Sequence, residues 1–484
     1  MLTRRYGKYH FLSEEEIIKI HTATLKILEE TGVRVPDERL LKLAESKGAL
    51  VSHGGSIIRF PKNLVEKCLD ENRAMYAATT KDSNFPDDGQ RKVKYTLGGM
   101  AVRTIDFNTN EVRNATIKDM ADASRIASAL DEVKSDGGLY RSTEIPPLAD
   151  DLYCYHTMVS HTDKPVSMDI MHLSSIPWLE EMAIVVHGNK KAVLDKGVMR
   201  FNAFVSSPLQ YSKDAIEKMW AVHDRGYKVS LGWPMTVVGG SSPVTLAGSA
   251  VECNADALSG LVLTRMLNGD ILANLGAAPV TMDMRNGLGL YADPRRLLIC
   301  GAFMDISRFY GFPNGGFHIG VDAAYPGIQA AAERMFTAMV ALAYWDGDIQ
   351  LRLGILGPSN AVASMAQIFI DLEMGRMIEK WLQGIEVSEE TMSLADIMDA
   401  GIGGNFLSRE HTARHFRTES WLPDLFEHQM PVAGTLPSKD PVYEKARLKA
   451  KQTIETARTN PRPPDKQLEL DRLLERAVQS VSML

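Results

Sequence analysis

Residues 201–269 constrain the fold more than any other stretch of this chain: FNAFVSSPLQYSKDAIEKMWAVHDRGYKVSLGWPMTVVGGSSPVTLAGSAVECNADALSGLVLTRMLNG. Apolar runs of strand length, 200–205 and 228–231, alternate with helical patterns of a dozen residues or more. That alternation predicts βαβ units and a parallel sheet. In such sheets the chemistry collects at the C-terminal ends of the strands. Here those ends carry Asn202 and Phe204, then Trp233 and Met235. A mouth of aromatic rings and amides suits an organic cation better than a phosphate.

The same alternation runs through most of the chain. Strands are predicted at 133–137, 165–170, 200–205, 228–231, 271–275, 316–319 and 349–353, with helices at 117–130, 151–161, 175–186, 213–224, 244–267, 294–310, 328–344 and 363–382. So many strand–helix units over roughly 250 residues predict an α/β fold of the (β/α)8 TIM-barrel type. Residues 1–116 read as an N-terminal helical and hairpin extension on a barrel of residues 117–385, and residues 386–484 as a C-terminal helical extension. Ser13-Glu14-Glu15-Glu16 is a capping box opening the first helix. Residues 50–60 read as a hairpin turning at Gly54-Gly55, and residues 92–116 as a second hairpin turning at 108–110.

Composition narrows the class. A net charge of −7 argues against nucleic acid as the partner. No apolar run approaches the ~20 residues that span a bilayer, and the first residues lack the apolar core of a secretory signal. Cys68, Cys154, Cys253 and Cys300 are scattered without metal spacing, as expected of reduced thiols in a cytoplasmic protein.

Several constellations have plain structural readings. His411 and His415 lie one helical turn apart but without the glutamate of HExxH or an evident third ligand, so they read as a surface helix and no metal is assigned. Gly401–Gly404 reads as a helix end and turn. The small residues of 247–260 read as close helix packing, with Glu252 and Asp256 paired or solvated on the outer face. Tyr140, Phe204, Tyr211, Trp233, Phe317 and His318 each follow a strand-like run. Alone, each reads as core. Together, at the ends of different strands, they form a candidate box for a quaternary ammonium, worth ~0.5–2 kcal/mol per ring.

The chain resembles the trimethylamine:corrinoid methyltransferase superfamily. The resemblance rests on IHTATLKILEETGVRVPDE (20–38), SSPLQYS (206–212), SSPVTLAGSAVECNADALSGLVLTRMLNG (241–269), DMRNGLGLYADPRRLLICGAFMDISRFYGFP (283–313) and GIEVSEETMSLADIMDAGIGGNFLSREHTARHF (384–416). It implies a barrel that moves a methyl group from an amine to the cobalt of a separate corrinoid protein. No corrinoid is then bound tightly by the chain itself. Archaeal trimethylamine enzymes carry pyrrolysine, whereas this sequence holds only the standard residues. It is similar instead to the pyrrolysine-free branch, whose substrates are glycine betaine and related quaternary amines. A longer betaine (proline betaine, carnitine, γ-butyrobetaine) and a non-catalytic betaine-binding barrel are the alternatives.

The region matching the pyrrolysine position falls at 318–325, which makes His318 and Asp322 the candidate catalytic residues, orienting substrate rather than taking protons. The family's Asp-x-Gln-x-x-x-Glu pattern appears with Gly327 in place of the aspartate, followed by Gln329 and Glu333. Tyr140, Asn202, Phe204, Trp233, Asn274, Phe317 and Gln329 are the candidate substrate-binding residues. Asn202, Asn274, Arg141 and Arg285 are candidate donors for a substrate carboxylate, with a surface salt bridge as the plain reading of both arginines. The N-terminal piece and residues 386–416 are candidates to frame the docking site of the corrinoid protein. The sequence leaves homo-oligomerisation open.

Overall fold

The computed structural model describes residues 10–82, 92–269, 275–312, 319–344, 348–428, 430, 434, 439–458 and 461–482. Asn274, Phe317 and His318 lie outside these residues, as do almost all of the strands expected at 271–275 and 316–319.

The N-terminal piece forms as its capping residues dictate. Ser13 accepts the Glu16 amide while Glu16 accepts the Ser13 amide at 2.8 Å, closing the box that starts helix Glu14–Glu30. Asp37 caps helix Glu38–Ser46 in the same way, through the Leu40 amide at 2.7 Å. Strands Leu50–Ser52 and Ile57–Arg59 pair antiparallel around His53–Gly55, as the Gly-Gly turn predicts. Helix Glu14–Glu30 then packs on helix Leu246–Asn268, so this piece is a cover for the central α/β unit.

The central unit is mixed α/β with parallel pairing throughout its main strands. Phe201–Phe204 runs parallel to Val229–Gly232, in the register Phe201↔Val229 to Phe204↔Gly232. Val93–Gly98 lies between Ile349–Arg352 and Val133–Gly137, parallel to both. This corrects the reading of residues 92–98 as one arm of a hairpin. Only Arg103–Ile105 and Val112–Asn114 form that hairpin, and the sheet therefore begins N-terminal to Ile117. The strand expected at 165–170 contracts to a single parallel bridge, Asp136↔Val166. Among the described residues the strands form separate ladders rather than one continuous closed sheet.

Small ladders are added just beyond the main strands. Arg103–Ile105 follows Val93–Gly98, Val237–Val238 follows Val229–Gly232, and Ile355–Leu356 follows Ile349–Arg352. Each extends the chain past a strand's C-terminal end, which is the face that carries function in parallel α/β folds. The terminal helices dock on helices of the central unit. Pro441–Thr456 packs on Met365–Leu382, and Pro464–Val481 packs on Asp150–His161 and Ile176–His187. The last helix is 18 residues long and buries Leu470, Leu473, Ala477 and Val481. All four cysteines are buried free thiols. No helix among the described residues is long and apolar enough to cross a membrane.

Candidate active site

The site is built where Phe201–Phe204 and Val229–Gly232 end side by side. Asn202 receives the Ser230 hydroxyl at 2.8 Å on its Oδ1 and directs its Nδ2 at the Gly232 carbonyl, 3.4 Å away. Its side chain is thus oriented by the neighbouring strand. Phe204 is 42% exposed. Trp233 follows immediately at φ +56°, a left-handed conformation that is costly for a bulky side chain. Its ring lies flat against the next segment: a Cβ built on Gly276 would sit 1.9 Å from the ring. Asn202, Phe204 and Trp233 therefore gather at one end of one strand pair, as the sequence predicts.

Behind them lies a pair of acids. Gly260 of helix Leu246–Asn268 meets Gly232, the last residue of its strand, so closely that a Cβ on Gly260 would approach the Gly232 Cα to 2.3 Å. The small residues serve this contact. Asp256 and Glu252 stand one and two turns nearer the helix N-terminus, about 6 and 12 Å beyond the strand end. The loops after both strands close over them. The Leu209 amide donates to Asp256 Oδ1 at 2.9 Å, and the hydroxyls of Ser207 and Thr236 face the pair and each other, 3.3 Å apart. Both acids are buried, which corrects their reading as a pair on the outer face.

Burial, then the adjacent Asp256, pushes the Glu252 carboxyl up to about 9. Burial raises Asp256 as well, opposed by its hydrogen bonds from Ser207 and the Leu209 amide, which favour its charged form. Burial and the neighbouring acid thus favour a proton on Glu252. Glu252 faces Asp256 and the Thr236 hydroxyl, and Asp256 faces the Ser207 hydroxyl, so the two acids lean on each other and on the loops above them.

The remaining candidates lie elsewhere. Tyr140 is fully buried, its phenolic oxygen receiving the Thr104 hydroxyl at 2.9 Å. It is a core residue in this structure rather than part of an open mouth. Asp322 accepts the Tyr291 and Ala292 amides at 2.7 and 2.8 Å, while Glu333 accepts the Asp322 and Ala323 amides at 2.7 and 2.9 Å. Gln329 donates to the other Glu333 oxygen at 2.7 Å. Asp322, Gln329 and Glu333 thus lock the 291–292 and 322–323 backbones together, with both Asp322 oxygens engaged. Arg285 is an exposed ion pair with Asp283 at 2.8 Å. Arg141 is held by Asp150, with Asp151 at 3.6 Å.

The strand ends thus bring together an aromatic face, an oriented amide and a buried pair of acids on an α/β scaffold. The family profile described as "Trimethylamine methyltransferase (MTTB)" matches residues 1–482. The chain belongs to this family and is a methyltransferase. It is 28% identical over 415 residues to the trimethylamine methyltransferase MttB of Desulfitobacterium hafniense (strain DSM 10664 / DCB-2), covering 84% of this chain and 82% of that protein. It is 26% identical over 424 residues to the glycine betaine methyltransferase of Desulfitobacterium hafniense (strain Y51), covering 86% and 87%. The crystal structure of the Methanosarcina barkeri monomethylamine methyltransferase aligns with 92% of this chain and 88% of its own, at a TM-score of 0.45 and 11% identity.

Proposed function

We propose that this methyltransferase takes a methyl group from a quaternary amine, most simply glycine betaine, and passes it to the Co(I) of a separate corrinoid protein. The observation that carries the cation reading is the buried Glu252–Asp256 pair beneath the loops that end two parallel strands, which in this reading shares one proton and presents one charge. A single negative charge about 5 Å from a quaternary nitrogen contributes about 3 kcal/mol at an effective dielectric near 20. One ring face contributes ~0.5–2 kcal/mol. The charge therefore outranks any single aromatic, and Trp233 and Phe204 shape the site around it.

The chemistry fits a site without an acid–base pair poised for proton transfer. Co(I) of the acceptor supplies the electron pair for the new bond to carbon, the C–N bond breaks, and the amine leaves neutral because its nitrogen already bore the charge. No proton moves, so the protein's work is orientation: the methyl must point out of the strand ends toward the acceptor. The oriented Asn202 amide is placed to donate to a substrate carboxylate. His318 and Asp322 keep the orienting roles that the family resemblance implies for them, Asp322 through the Tyr291 and Ala292 amides it holds.

In this account the parallel strands close into a (β/α)8 barrel beginning at Val93, and the pairing of Ile349–Arg352 with Val93–Gly98 supports that closure by joining its last strand to its first. The buried free thiols support a cytoplasmic setting. Calorimetry with glycine betaine tests the cation site. Asp256→Asn should weaken binding about tenfold or more, whereas Glu252→Gln, which replaces a protonated acid, should leave it within a few-fold. Equal affinity in wild type and Asp256→Asn would remove the acid pair from the site.

A further inference from the structure

The segment that follows helix Met365–Leu382 folds into short helices with nothing beneath them. Glu389–Met392, Leu394–Ala400 and Glu410–Glu419 bury no residue at all. Apolar side chains such as Leu394 (62% exposed), Met398 (73%) and Leu407 (90%) lie open. A segment this short of core needs another kind of staple, and in small units a metal ion commonly supplies it.

The structure brings together the ligands for one. His411 and His415 project from the same face of helix Glu410–Glu419, with ring centroids 4.4 Å apart. Glu390, from the short helix about twenty residues earlier, reaches into the space between them. His415 Nε2 lies 3.1 Å from Glu390 Oε1, and His411 Nε2 lies 3.1 Å from the Glu390 carbonyl oxygen. One ligand atom from each of the three side chains falls within 4.8 Å of the others. Two ligands at ~2.05 Å from a tetrahedral zinc ion are about 3.3 Å apart, so the His415–Glu390 separation already matches one edge. Two half-buried rings and an exposed carboxylate can close the remaining edges by turning about their side-chain bonds.

We propose that Glu390, His411 and His415 bind a zinc ion, which ties helix Glu389–Met392 to helix Glu410–Glu419. Two imidazoles and one carboxylate leave a fourth position for water or for a side chain of another molecule, a donor set that favours zinc over calcium or magnesium. His415 lies on the Oε1 side of the Glu390 carboxyl, 3.1 Å away. Arg414 lies 3.0 Å from the same oxygen and gives it up when Oε1 ligates the ion. The sequence showed only the two histidines; the third ligand becomes visible when the short helices fold together.

The test uses the full-length protein, freed of metal with a chelator and titrated with zinc by calorimetry. In parallel, Co2+ is added as a spectroscopic probe. The expected result is one ion per chain with a Kd tighter than about 10 µM, the visible absorption of four-coordinate Co2+, and slower proteolysis within residues 385–428 when zinc is present. His411→Ala and His415→Ala should each weaken binding tenfold or more, with an unchanged circular dichroism spectrum because both residues lie on an exposed segment. The proposal is overturned if wild-type protein takes up zinc no more tightly than the His411→Ala/His415→Ala double variant, or if Co2+ binds without the four-coordinate spectrum.

Discussion

At the scale of single residues, the acid pair makes the sharpest claims. Glu252 has its folded-state carboxyl raised from 4.5 to about 9 by burial and by Asp256. The folded protein therefore holds a proton that the unfolded chain releases in that interval. Its contribution to stability is complete below pH 4.5 and is lost as pH rises through about 9. Denaturant melts at several pH values should show stability falling across this window, and Glu252→Gln should flatten the curve. A profile with the same slope in the variant would assign the loss to other groups. Trp233→Ala should weaken betaine binding by about 0.5–2 kcal/mol, roughly two- to thirty-fold in Kd. Unchanged affinity in a folded variant would remove the ring from the site. The sequence could place Trp233, Phe204 and Asn202 near one another because they lie within or just after two strand-like runs that pair. Glu252 and Asp256 were not legible, since two acids one turn apart on a helix look the same whether solvent or a loop covers them. The cover comes from residues 207–209 and Thr236, and nothing in the helix itself announces it.

At the scale of elements, the strand–helix contact sets the site's depth. Glycine to alanine inside a helix ordinarily stabilises by about 1 kcal/mol. At Gly260 the new Cβ would meet the Gly232 Cα at 2.3 Å, and backbone cannot swing aside. The steric cost prevails, so Gly260→Ala should destabilise by about 1–3 kcal/mol, read as a lower denaturation midpoint; a midpoint at or above the wild-type value would contradict that contact. Strands such as 133–137 and 349–352 coincided with their apolar runs to within a residue. Val93–Gly98 was misread because the turn at 108–110 drew the whole of 92–116 into one hairpin, while its true partners are a neighbouring strand and one more than 250 residues away. Local patterning carries no record of so distant a pairing. The same applies to residues 165–170, where an apolar run of strand length yields a single bridge.

At the scale of the whole molecule, the C-terminal helices belong to the body of the fold. Pro441–Thr456 and Pro464–Val481 cover Met365–Leu382, Asp150–His161 and Ile176–His187, burying Ala446, Ala450, Leu470 and Leu473. Deleting residues 437–484 should therefore lower the melting temperature or cause aggregation. A truncation that melts like the full chain, binds betaine normally and fails only in methyl transfer would place the tail at the acceptor's docking surface instead. The order of family motifs along the chain made the class of enzyme legible from sequence; the substrate depends on a pocket assembled from distant loops. The most direct test of the central claim mixes the full-length protein with reduced corrinoid protein and either glycine betaine or trimethylamine, and follows methyl-cobalt formation and the amine product. The account predicts methyl-cobalt and dimethylglycine from glycine betaine, with no transfer from trimethylamine. Transfer from trimethylamine while glycine betaine is left intact would contradict it.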